Sequence, residues 1–156
     1  MLSFLVFTFG LAVGSFLNAV IYRLALAGGL ISHVRDRERE VPPSPFRGRS
    51  FCPRCGHQLS WRDLIPLVSF FALRGKCRYC KEQISMQYPI VEIATGLIFL
   101  LIFLATRDLA QPDNFHFLVF ETIYFFAIAG LLIVLFVYDL RHYILPDKIL
   151  FPAIGL

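Results

Sequence analysis

Apolar and polar stretches alternate along this chain on a long period. Met1–Tyr22 carries no charged side chain, Ile90–Thr106 carries only Glu92, near its start, and Phe117–Tyr138 carries only Glu121. A helix crosses a bilayer in roughly 20 residues, so each run predicts a membrane-spanning helix. Within the first, Gly10, Gly14 and Asn18 recur every four residues and share one stripe. Small residues admit a neighbouring helix, as packing alone or for a specific role, and the Asn18 amide belongs against protein rather than lipid.

The polar segments divide the chain. Ala27–Ser50 reads as a solvated loop: Gly28-Gly29 opens it, the mixed-charge run His33–Glu40 follows, and Pro42, Pro43 and Pro45 close it. Arg107–His116, with Pro112-Asp113-Asn114, predicts a short turn, and Asp139–Asp147 a polar break. Lys148–Leu156 begins another apolar stretch that is too short to span. The sequence therefore reads as C-terminally truncated, or as a piece of a longer protein.

Composition agrees with this pattern. The chain has 156 residues, 57% of them hydrophobic and 17% charged, where a soluble domain carries about 25% charge. Of its 15 Lys and Arg, 12 lie between Arg23 and Lys81. The positive-inside rule puts that segment in the cytoplasm, the N-terminus outside, Arg107–His116 outside and Asp139 inside. The first charge, Arg23, follows the apolar run instead of preceding it, so the run predicts a retained helix and not a cleaved signal peptide. A net charge of +4 is no argument for nucleic acid here, because acids interleave with the bases.

Chemistry concentrates between Cys52 and Cys80. Cys52-Pro53-Arg54-Cys55 and Cys77-Arg78-Tyr79-Cys80 use every cysteine in the protein. Two thiolates three residues apart in a tight turn grip an ion from one side, and a second such knuckle completes the tetrahedral four-thiolate site that zinc prefers. Two disulfides or four separate core cysteines would satisfy the count as well, but a reducing cytoplasm weighs against disulfides. His33 and His57 are left out of the ligand set because four cysteines already fill it. Arg54, Arg74, Lys76 and Arg78 offset the negative charge of such a centre and can meet lipid phosphates. The stretch Trp61–Phe71 is more apolar than a small zinc ribbon can bury, which predicts that it packs on the membrane helices or lies in the interface. Glu92, an ionisable group in a span, is a functional candidate, or else an interfacial carboxylate that reaches water.

Three blocks carry a family resemblance: Gly14-Ser15-Phe16-Leu17-Asn18-Ala19-Val20-Ile21-Tyr22-Arg23-Leu24; the cysteine pairs with Trp61, Ile65-Pro66-Leu67, Leu73-Arg74-Gly75, Ile84-Ser85, Tyr88-Pro89 and Val91-Glu92; and Asp139 through Leu145-Pro146-Asp147. In this order they resemble the bacterial type IV prepilin peptidases, the leader peptidase/N-methyltransferases of type IV pilus and type II secretion systems. Ala25 stands where the family usually has proline, and Arg141 where many members have a second acid.

The resemblance implies a multi-pass aspartic endopeptidase of the bacterial inner membrane. It implies removal of the leader from prepilins or pseudopilins at the cytoplasmic face, then N-methylation of the new N-terminus with S-adenosylmethionine. Asp139 falls on the family's first catalytic aspartate, and Asp147 on a recurrent supporting position. The second catalytic aspartate belongs to a Gly-x-Gly-Asp motif that this sequence does not contain, so the 156-residue chain alone is expected to be inactive as a peptidase.

The combined expectation is a mainly α, polytopic transmembrane protein with a small cytoplasmic four-cysteine, zinc-ribbon-like insertion. Residues 1–24 form the first helix, 25–88 the cytoplasmic loop with the zinc module, and 89–156 the N-terminal part of the peptidase core. Zinc sits on Cys52, Cys55, Cys77 and Cys80, and Glu92 is the candidate toward a cofactor. The partners are a prepilin or pseudopilin and the lipid bilayer, with no nucleic acid. Two other readings compete: a non-catalytic membrane zinc module for assembly or docking, and a different membrane enzyme or transporter with Asp139 and Glu92 as proton-relay groups.

Overall fold

A computed structural model describes residues 1–28, 49–109 and 115–142. The charged run 33–40, His33, and residues 143–156 with Asp147 therefore lie outside the described residues. The order of elements is α1 (Leu2–Ala27), a 3-10 turn (Trp61–Leu64), the short α2 (Val68–Ala72), α3 (Gln87–Leu109) and α4 (Phe115–His142). The stretches Leu2–Ala27, Gln87–Arg107 and Leu118–Arg141 are each long and apolar enough to cross a membrane.

The helices form because their interiors hold almost no polar group that would prefer water to an intrahelical bond. Pro89 falls in the first turn of α3, where the missing N–H has no helical partner to lose. α4 runs further than the apolar pattern implied. It continues through Asp139 to His142, so Asp139 sits in the last turns of a helix and not in a break. Backbone hydrogen bonding carries the helix past the point where hydropathy ends.

The stripe of small residues decides how α1 meets α3. A Cβ on Gly10 would lie 2.7 Å from the Cα of Gly96, and one on Gly14 would lie 2.8 Å from the Cα of Glu92. Both obstacles are backbone, so any larger residue would push the helices apart. The glycines thus serve close packing, as small-residue seams do where lipid provides no hydrophobic drive. Asn18, one turn on, is 2% exposed and donates Nδ2 to the Tyr88 carbonyl at 3.1 Å. α4 closes the bundle with Val134 and Tyr138 packed on Val20, Ile21, Leu24 and Ala25 of α1. Phe126 stacks on Phe99 of α3 with centroids 4.1 Å apart, and the Thr106 and Thr122 hydroxyls meet at 3.1 Å. Phe120, Ile123, Leu132, Phe136 and Leu140 face outward along α4, a surface suited to lipid and not to water.

Candidate metal centre and the cavity beside it

The cysteine module is built from one unit used twice. The sequence Cys-x-x-Cys-x-x-Gln-(Leu/Ile)-Ser occurs at Cys52–Ser60 and again, 25 residues on, at Cys77–Ser85. Each unit folds the same way. Cys52 N–H donates to the His57 carbonyl at 2.9 Å, and Cys77 N–H to that of Glu82 at 2.8 Å; Gly56 N–H returns to Cys52 and Lys81 N–H to Cys77. Isolated antiparallel bridges pair Phe51 with Gln58 and Lys76 with Gln83. The residue after each knuckle takes a left-handed backbone, with φ of 66° at Gly56 and 60° at Lys81. Glycine meets that demand freely, whereas Lys81 meets it at a cost repaid by the matching hydrogen bonds.

Back to back, the two units bring four sulfurs together. The Sγ atoms of Cys52, Cys55, Cys77 and Cys80 all lie within 4.8 Å of one another. Those of Cys52 and Cys80 are 3.9 Å apart, and no disulfide joins any of the four. A tetrahedron of thiolates about 2.3 Å from zinc has edges of about 3.8 Å. The Cys52–Cys80 separation matches that edge and the others come within 4.8 Å, whereas a disulfide would need about 2.0 Å. The four cysteines are therefore arranged as a metal site. His57 stands aside, stacked on Tyr79 with ring centroids 3.6 Å apart.

The thiols are not equivalent. Burial pushes Cys52 up to about 12. Burial also opposes ionisation at Cys77, but the backbone N–H groups of Cys80 and Tyr79 outweigh it and bring this thiol down to about 7. One ligand is thus close to ionised at neutral pH, while Cys52 must lose a proton as metal arrives. Two of the four nearby cations are engaged elsewhere. Arg54 lies 3.6 Å from Glu82, and Arg78 donates Nε to Asp63 at 2.7 Å. Asp63 also accepts from the Ser60 hydroxyl at 2.9 Å and the Ser60 N–H at 3.1 Å. It ties the exit of the first knuckle to the second.

Glu92 fastens the module to the helices. Its side chain belongs to α3, is 6% exposed, and accepts the Leu67 N–H at 2.8 Å through Oε2. Leu67 has φ 59° and ψ −48°, and Val68 N–H returns to the Pro66 carbonyl. This is the strained form of the γ-turn, which persists only where its surroundings over-determine it. The carboxylate of Glu92 is one such constraint. Where module and helices meet there is a cavity of about 480 Å³, lined from α1 by Ser15 and Tyr22, from α3 by Tyr88 and Glu92, from α4 by Arg141, and from the module by Cys52 and Asp63. Among the described residues, neither the buried Tyr22 hydroxyl nor the buried Asn18 Oδ1 has a hydrogen-bond partner. Each such orphan costs about 1–3 kcal/mol.

The family described as Bacterial Peptidase A24 N-terminal domain matches residues 8–106, a stretch that includes the α1–α3 seam and the whole cysteine module. The chain belongs to this family. It is 39% identical over 147 residues to the prepilin leader peptidase/N-methyltransferase of Myxococcus xanthus, covering 94% of this chain and 36% of the relative. To the prepilin leader peptidase/N-methyltransferase of Vibrio cholerae it is 38% identical over 143 residues, 91% of this chain and 49% of that one. The protein of the same name from Stutzerimonas stutzeri is 36% identical over 155 residues, 94% and 50% respectively. The chain thus spans between a third and a half of the length of these curated relatives. No solved structure matches it.

Beyond the stretch matched by the A24 N-terminal domain, Asp139 is exposed on α4 one residue past Tyr138, whose side chain is buried against α1. Arg141, two residues further, lines the cavity that the cysteine module also lines. Asp139 is therefore at the module end of its helix. The α4 face that carries it also shows Leu132, Phe136 and Leu140. Sequence reasoning missed the 25-residue repeat, though Gln-Leu-Ser and Gln-Ile-Ser at matching offsets were visible. It also missed Tyr22 and the Glu92–Leu67 clasp, which no local pattern announces.

Proposed function

We propose that this chain is the N-terminal, zinc-held part of a leader peptidase/N-methyltransferase of the bacterial inner membrane, with its cysteine module in the cytoplasm. The observation that carries the reading is the similarity, over more than nine-tenths of the chain, to proteins named prepilin leader peptidase/N-methyltransferase. Its substrates are prepilins or pseudopilins, whose apolar helix stays in lipid while the leader is cut at the cytoplasmic face. The geometry is in keeping with this: Asp139 ends a helix of membrane-spanning length at the side where the cysteine module sits.

In this reading Asp139 is one member of a carboxylate pair. Two carboxylates that share a proton divide the work, one activating water and the other protonating the scissile carbonyl oxygen. The partner aspartate is not among these 156 residues, in which no Gly-x-Gly-Asp occurs. Asp147 supports the same site. Zinc on Cys52, Cys55, Cys77 and Cys80 is structural: four thiolates close the coordination shell and leave no position for water. S-adenosylmethionine supplies an electrophilic methyl group for the amine that cleavage exposes.

The test uses the complete parent protein, reconstituted with a prepilin. Asp139→Asn keeps the shape but cannot take or give the proton, so cleavage falls to background while zinc content stays at one per chain. The isolated 156-residue chain does not cleave. Cleavage by the Asp139→Asn parent would overturn the assignment of Asp139, and robust cleavage by the isolated chain would overturn the two-carboxylate division.

A further inference from the structure

Three parts of the molecule meet at the carboxylate of Glu92. The residue belongs to α3, and α1 presses on its backbone: a Cβ on Gly14 would lie 2.8 Å from the Glu92 Cα. The Ser15 hydroxyl, next along α1, hydrogen-bonds to the carboxylate. Oε2 accepts the Leu67 N–H of the module at 2.8 Å. A side chain that is 6% exposed and held from two helices has little freedom to follow a moving partner. It is a fixed point against which the module is set.

On the module side, a short run of backbone bonds joins Leu67 to the second cysteine unit. Leu67 immediately precedes α2. Gly75 N–H, just past α2, donates to the Phe70 carbonyl at 2.9 Å, and Ile84 N–H donates to the Gly75 carbonyl at 2.7 Å. Ile84 lies in the unit that carries Cys77 and Cys80. A shift at Leu67 therefore moves α2 and the second knuckle together. Among the described residues, the Trp61–Leu64 turn and α2 pack on each other and hardly on the three long helices, so this one bond weighs heavily. The backbone at Leu67 does not hold its form unaided: φ 59° with ψ −48° is unfavourable for a residue that has a Cβ.

We infer that Glu92 is a positioning residue for the proposed leader cleavage: it seats the cysteine module on the helix ends and so sets the module's place beside the end of α4 that carries Asp139. The inference rests on that reading of Asp139 and adds a residue that acts through the module. Arg141, two residues past Asp139, lines the space that the module closes from the other side. A substrate whose apolar helix stays in lipid brings its cytoplasmic part past this junction. A loosened module therefore weakens substrate binding before it slows the chemistry. The task of Glu92 is to accept hydrogen bonds, which a carboxamide oxygen can also do.

The test uses the complete, zinc-loaded parent in nanodiscs with a prepilin. It reads steady-state cleavage and hydrogen exchange at the Leu67 amide, resolved by fragmentation in a mass spectrometer. Glu92→Leu is of similar size but has no acceptor. It speeds exchange at Leu67 about tenfold and raises KM about tenfold, with kcat lowered by less than about threefold. Glu92→Gln stays within about twofold of wild type in both readouts. Leu67→Gly in the Glu92→Leu background recovers most of the KM, because glycine takes a positive φ without the clasp. Leu67→Val strains the same turn with Glu92 intact and raises KM likewise, a second route to the answer should Glu92→Leu fail to fold. Unchanged KM in both Glu92→Leu and Leu67→Val would overturn the inference and leave the proposed function standing. A Glu92→Gln protein as impaired as Glu92→Leu would overturn it too, since the carboxylate would then act through its charge. If the wild-type parent leaves the prepilin uncut, the proposed function falls, and the bearing of the seat on cleavage falls with it.

Discussion

Asp63 shows how a single carboxylate can join two halves of a metal module. Its side chain is only 3% exposed. Burial raises its pKa, but the Arg78 hydrogen bond, with those from Ser60, outweighs burial and holds the carboxyl below its ordinary value. A depressed folded-state pKa means that the contribution is complete above the unfolded value of about 3.9 and is lost as pH falls through the folded one. Asp63→Asn therefore makes the module less resistant to zinc loss. The stability gap from wild type stays level from neutral pH down to about 4 and closes only below that. Thiolate protonation acts earlier: with Cys77 near 7 and Cys52 near 12, zinc affinity already falls as pH drops from 8 to 6. Zinc titrations in the two proteins across pH 3–8 separate the effects, and a gap that closed near pH 6 would mean that burial raises the Asp63 pKa and that Arg78 and Ser60 do not hold it down.

Among the elements, the Trp61–Leu64 turn and α2 carry a run of exposed apolar side chains. Trp61, Val68 and Phe71 are between 61% and 70% exposed, with Leu64 and Ile65 beside them. A soluble module would not leave these side chains in water. The Glu92–Leu67 contact holds the same stretch against the start of a helix of membrane-spanning length, so the surface continues the apolar face of the bundle. We expect this edge to rest in the headgroup layer, where Trp is favoured and Arg62, 5.4 Å from the Trp61 ring centroid, can reach phosphate. Trp61 is the sole tryptophan, so its fluorescence is an unambiguous probe. Lipids brominated high on the acyl chain should quench it strongly, and those brominated near the bilayer centre weakly. Quenching only by aqueous iodide would remove this edge from the interface.

For the whole molecule, the bundle and the module draw stability from different sources. The helices hold together through the glycine seam, the Asn18–Tyr88 bond and the α1–α4 cluster. Among the described residues, the module has no sheet beyond isolated bridges, and the cysteine cluster is its centre. Chelation should therefore unfold the module alone. Zinc removal ought to expose all four thiols to a maleimide reagent and raise proteolysis between residues 49 and 86, with little change in helical circular dichroism. Loss of helicity in parallel would mean that the metal also organises the spans.

The sequence by itself determined the apolar helices, the four-cysteine cluster and the small-residue stripe, because each is written in local spacing: the length of an apolar run, two thiols three apart, glycines every fourth residue. It stopped short at Asp139, where hydropathy ends before the hydrogen-bonded helix does. It left Glu92 open between function and solvent, since a carboxylate at a helix start gives no sign of the backbone amide it will meet 25 residues away at Leu67. Only the tertiary structure decided that contact, the crossing of Asp63 to Arg78, and the cavity that gathers Tyr22, Glu92 and Arg141 from three helices. Those features depend on how rigid elements sit against one another. That is settled by backbone approach and polar satisfaction across the interfaces, which no stretch of sequence contains on its own.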